Sequence, residues 1–82
     1  MTEAEAEARA ALAASDAVGG IERWVAKQSW EAVPGGWTVP GEFHGLRFRV
    51  ALVPDGVRLT ASEGKVRPAV WTVPGRPAPP SA

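Results

Sequence analysis

Apolar and polar residues alternate from Leu46 to Leu52: Leu46, Phe48, Val50 and Leu52 are separated by Arg47, Arg49 and Ala51. A period of two marks a strand with one buried and one wet face. Val57, Leu59 and Ala61 repeat the pattern around Arg58 and Thr60. Between the runs, Pro54-Asp55-Gly56 predicts a turn, because proline presets φ and glycine accepts a positive one. Ser62-Glu63-Gly64-Lys65 predicts a second tight turn, and Val66–Val73 a last strand.

The pentapeptide Trp-Thr-Val-Pro-Gly occurs twice, as Trp37–Gly41 and Trp71–Gly75. Each copy reads as an aromatic, β-branched strand end stopped by Pro-Gly, since proline cannot donate to a ladder. The two copies mark the borders of one antiparallel sheet, with strands at about 37–39, 46–53, 57–61 and 66–73. Turn placement then fixes register. It sets Trp37 opposite Phe48, Val39 opposite Leu46, Leu52 opposite Leu59, Val50 opposite Ala61, Leu59 opposite Pro68 and Val57 opposite Val70, which keeps the apolar residues on one face. Trp37 then points to the core, but Trp71 falls on the other face with Arg67 and Ala69. Only a bulge at Pro68 would turn it inward.

Upstream the period lengthens. Residues 2–17 are alanine-rich, with interspersed Glu and Arg and a Thr2-x-x-Glu5 capping-box spacing, and predict a helix. Its apolar face is thin, with Leu12 and Val18 the only large members, so this helix frays or leans on a partner. Gly19-Gly20 ends it. A short acidic helix before Gly-Gly also resembles the cleavage site of double-glycine leader peptides. However, Ala13 and Ala17 stand where such leaders carry larger apolar residues, and a helix C-terminal glycine is the simpler reading. Ile21, Trp24, Val25 and Gln28 give a second helix over 21–29 with a true apolar stripe and Trp24 in the core. Residues 30–36 read as a short strand or a loop, with a turn at Pro34-Gly35-Gly36. The fold class is therefore α+β: one or two N-terminal helices packed on a four-stranded antiparallel meander, with helix 21–29 covering its apolar face. The chain divides into an Ala-rich acidic helix (1–20), a small α+β domain (21–75) and a Pro-rich tail (76–82) that reads as disordered or polyproline-like.

Composition narrows the function classes. The chain has 82 residues and no cysteine, so a small core is not stapled by disulfides, and oligomerisation is the usual remaining source of buried area. One histidine without cysteine argues against zinc, and no cofactor is implied. No apolar run approaches the ~20 residues of a membrane span, and the acidic start lacks the basic region of a signal peptide, which makes the cytoplasm the default compartment. Formal net charge is zero, but it is unevenly spread. Residues 1–31 hold six acids and three bases, residues 32–82 three acids and six bases. Such asymmetry means a basic binding face or two halves that attract one another.

Catalytic patterns are missing. His44 sits in a turn-like stretch with Glu42 nearby, no serine lies in a nucleophile elbow, and Glu3, Glu5 and Glu7 are spaced so as to scatter around a helix. Two non-catalytic readings remain. Four tryptophans (Trp24, Trp30, Trp37, Trp71) exceed what so small a core needs, and a surplus ring is a natural hot spot for a protein partner or a second copy of the chain. The alternative is nucleic acid. Arg47, Arg49, Arg58, Lys65 and Arg67 converge on the polar sheet face, and an exposed Trp71 there would stack on bases. Pro77 and Pro80 have Pro-x-x-Pro spacing but no stronger ligand signature.

Overall fold

Thr2 starts the first helix: its hydroxyl accepts the Glu5 N–H at 3.1 Å. The reciprocal half of the capping box is replaced, because the Glu5 carboxylate instead takes the Arg9 Nε–H at 2.9 Å. The computed structural model describes residues 2–15 and 20–74. Gly19 and the Pro-rich segment 76–82 lie outside them. Within the described residues the helices are α1 (Glu3–Ala13) and α2 (Ile21–Lys27), and the strands are β1 (Glu31–Val33), β2 (Gly36–Phe43), β3 (Leu46–Val53), β4 (Gly56–Ser62) and β5 (Ala69–Val73). The strands form one antiparallel sheet in sequence order, so the architecture is α+β with five strands, not four. The additional strand is β1, formed where Pro34 and Gly35 (φ +86°) make a tight turn that pairs Val33 with Gly36. Proline followed by a positive-φ glycine is the type II turn pattern.

The core lies between the helices and one sheet face. Trp37, Val39, Phe48, Val50, Val57, Leu59, Ala61 and Val73 line that face and are buried. The thin face of α1 sits directly on it: Ala8 and Leu12 are 0% exposed, and α1 contacts β3 and β4. Helix α2 lies beside α1, and its Trp24 ring packs on Phe43 and Phe48, with centroids 5.0 and 5.7 Å away. Covering the sheet is therefore shared between the two helices rather than left to α2.

Arg9 ties these layers together. Its Nη1 donates to the Ala26 carbonyl at 2.7 Å, and its guanidinium lies 4.3 Å from the centroid of Trp30. Trp30 in turn donates its Nε1–H to the Val25 carbonyl at 2.8 Å and packs on Trp37. A single cation thus joins α1, the C-terminal turn of α2 and the chain entering the sheet.

The register differs from expectation in three places. Strand β2 runs through Pro40-Gly41 to Phe43, with an irregularity between Val39 and Phe43. Proline is tolerated there because β1 pairs only with Gly36–Thr38, leaving the rest of β2 with one open edge. The β2–β3 turn is just His44-Gly45, both at positive φ (52° and 80°), the primed geometry of two-residue hairpins. Trp37 consequently pairs with Val50 and Val39 with Phe48. The β3–β4 turn is Pro54-Asp55 alone, which pairs Leu52 with Val57 and Val50 with Leu59. Both changes are shifts of two residues and leave every side chain on its expected face. The third is not. Residues 63–68 form a longer loop, closed by a Val66 N–H to Glu63 carbonyl bond, and Leu59 pairs with Trp71 rather than Pro68. A shift of three turns the strand over, so Trp71 faces the helices and no bulge at Pro68 is needed.

Two substitutions test this packing. Leu12→Ala is expected to lower the unfolding free energy by about 2–5 kcal/mol in urea denaturation followed by circular dichroism. A loss near zero would mean that α1 is not part of the cooperative core. Arg9→Met keeps the stem but removes the charged donor, and is expected to cost about 1.5–3 kcal/mol in the same measurement.

Candidate functional site

The sheet's second face is uncovered. Alternation puts Thr38, Arg47, Arg49, Ala51, Arg58, Thr60, Ser62, Val70 and Thr72 on it. The three sheet arginines therefore share one surface. Arg49 stands opposite Thr60, and Arg58 opposite Ala51, so the two arginines are diagonal neighbours on adjacent strands. Arg47 is held by Glu42, Nε to Oε1, at 3.1 Å in an exposed pair. Among the described residues neither Arg49 nor Arg58 has an ion pair. Lys65 and Arg67 are exposed in the β4–β5 loop and are not part of this row.

Trp71 is on the opposite side. Its ring is half-buried, and its Nε1–H donates to Glu22 Oε2 at 3.0 Å. Glu22 itself is 0% exposed. A buried carboxylate is costly without donors, so this bond fixes the indole of β5 against α2. No stacking ring thus accompanies the arginines on the outer face among the described residues. The amphipathic pattern of 21–29 gave no sign that Glu22 would be buried. The Trp71 orientation was hidden by the length of the 63–68 loop, where Pro68 keeps its own backbone out of the ladder.

Two further surfaces emerge only in three dimensions. Beside Trp71, an apolar groove of roughly 280 Å³ opens between Ile21, Leu46, Val66, Ala69 and Trp71. It lies at the start of β5, an edge strand of the sheet, and Glu63 and Arg67 of the β4–β5 loop also line it. On the outer face, a second hollow of roughly 260 Å³ lies between the β1–β2 turn and Arg49, Ala51, Arg58 and Thr60. His44 occupies an exposed turn position and packs edge-on against Phe43. Among the described residues no three His, Asp or Glu side chains gather as metal ligands would, and no helix is long and apolar enough to cross a membrane. No protein family, curated protein or solved structure was found to match this chain.

The Glu22–Trp71 contact is directly testable. Trp71→Phe keeps an aromatic ring but removes the indole N–H from its bond to the buried carboxylate, and is expected to cost about 1–3 kcal/mol of stability by chemical denaturation. An unchanged midpoint would show that the bond does not hold β5 against α2.

Proposed function

We propose that this chain is a non-catalytic assembly module that pairs with a second copy of itself through β5. The observation that carries the reading is the contrast between the open edges of the sheet. Sheet edges invite further strands and are normally blunted by shortness, charge, proline or bulges. Strand β1 has only three residues, begins at Glu31 and runs into Pro34. The open part of β2 carries Pro40, Glu42 and an irregular register. Strand β5 has none of these within it. It reads Ala-Val-Trp-Thr-Val, with Val70 57% exposed, and its prolines, Pro68 and Pro74, flank the five residues rather than interrupt them.

A second copy is the occupant that fits this edge. Antiparallel pairing about a two-fold axis at Trp71 sets Ala69 opposite Val73 and Val70 opposite Thr72, with no like charges facing. Main-chain bonds would supply affinity. The helix-side groove would receive apolar side chains of the incoming strand, as in strand addition generally. A cysteine-free domain of this size also gains buried area by pairing. The second reading, a nucleic-acid partner on the outer face, retains Arg47, Arg49 and Arg58 but has lost the stacking ring it was built on.

Size-exclusion chromatography with light scattering at high micromolar concentration is expected to give twice the 8.6 kDa chain mass. The pair of substitutions V70E and T72E puts carboxylates opposite carboxylates across the two-fold, while within the protomer the carboxylate at position 72 would stand opposite Arg58. It is expected to give a monomer with an unchanged circular dichroism spectrum, since both positions are exposed and no like charges face one another within the chain. A wild-type chain that stays monomeric throughout would overturn the reading.

A further inference from the structure

We infer that the outer-face hollow is a binding site for a phosphate ester, held by Arg49 and Arg58 over a floor formed by Gly36 and Ala51. The floor is bare for a steric reason. A Cβ built on Gly36 would lie 2.1 Å from the Val50 carbonyl oxygen and 3.1 Å from the Ala51 Cα. No side chain can stand there, and on β3 the neighbouring residue, Ala51, is small. The sheet surface is consequently hollow at a point where its neighbours carry long side chains. Val33, Pro34 and Gly35 form an apolar wall on one side, and Arg49, Arg58 and Thr60 supply donors on the other. None of the lining residues is acidic.

The two arginines are not explained by edge defence. Strands β3 and β4 are paired on both sides, so they have no open edge to protect. Diagonal neighbours on adjacent strands have Cα atoms about 7–8 Å apart, within reach of both side chains at one point between them. Two cations that close repel one another unless an anion lies between them. Each guanidinium offers five N–H donors in a planar fork, and Thr60 adds a hydroxyl. That supply exceeds what the two oxygens of a carboxylate can use and suits the three terminal oxygens of a phosphomonoester. The apolar wall would contact the organic part of the ligand. This site shares no residue with the β5 edge, so it stands or falls independently of self-association.

The test is an amide NMR titration at constant ionic strength with inorganic phosphate, phenyl phosphate and a single-stranded oligothymidylate. Phenyl phosphate is expected to give saturable shifts centred on Gly36, Arg49, Ala51, Arg58 and Thr60, and to bind more tightly than inorganic phosphate. The double variant R49Q/R58Q should weaken binding about tenfold or more, the size of one charge-assisted hydrogen bond, with resonances elsewhere unmoved. A saturable oligothymidylate response at the same amides, also lost in R49Q/R58Q, would support the site and identify its phosphate as that of a nucleic-acid strand. Non-saturable shifts with all three probes, or equal affinity in R49Q/R58Q, would overturn the assignment.

Discussion

The placement of both helices depends on Arg9. Neither helix is well anchored alone: α1 is mostly alanine, and α2 has seven residues. Alanine lets a helix approach the sheet closely, but a small side chain contributes little buried area to hold it there. Arg9 supplies the missing connection through the carbonyl of Ala26, the carboxylate of Glu5 and the face of Trp30. The Ala26 bond satisfies one of the unpaired carbonyls at the end of α2, where positive charge is also favoured by the helix dipole. Lysine could not serve equally, because the contact needs a planar group that donates in two directions and stacks on a ring. With Arg9 in place, Leu12 and Ala8 close the middle of the sheet, and Trp24 closes the end near Phe43.

The sheet was legible in the sequence because of parity. Alternation along Leu46–Leu52 and Val57–Ala61 identified the inner face, and hairpin errors of two residues do not alter which face a side chain takes. The same logic explains the one failure. The Ser62-Glu63-Gly64-Lys65 pattern predicts a tight turn where residues 63–68 form a six-residue loop, and the resulting difference of three inverts β5. The proline at 68 marked the problem without resolving it, since a bulge and a longer loop both remove it from the ladder. For residues 30–36 the sequence pattern allows either a short strand or a loop, and β1 is that strand. Three residues carry too little periodicity to separate strand from loop, and its existence rests on the Pro34-Gly35 turn.

Identical pentapeptides end in different settings for equally local reasons. Trp37 lies in a strand with neighbours on both sides and packs on Trp30. Trp71 lies in an edge strand, and its polar end is drawn to Glu22. The Pro-Gly of the first copy continues as an irregular strand because β1 is too short to pair with it. Pro74, in the second copy, follows directly on the end of β5. Candidate chemistry was thus divided differently from the sequence pattern: arginines on the outer face, tryptophans on the inner one, and the apolar edge between them.

That division has a geometric consequence. Antiparallel pairing of β5 with its copy requires a two-fold axis perpendicular to the sheet, because an axis lying in the sheet cannot bring two antiparallel edges together. Both outer faces then lie on the same side of one ten-stranded sheet. From β3 of one protomer to β3 of its partner there are five strand intervals, or about 24 Å at the usual spacing before sheet twist. The two arginine hollows would face the same solvent at that separation. A small phosphate ester would fill each hollow independently, whereas a polyanion of regular charge spacing could engage both and gain avidity. Dimerisation would therefore make a long anionic chain a better ligand than the monomer's single hollow implies, without any new contact being added.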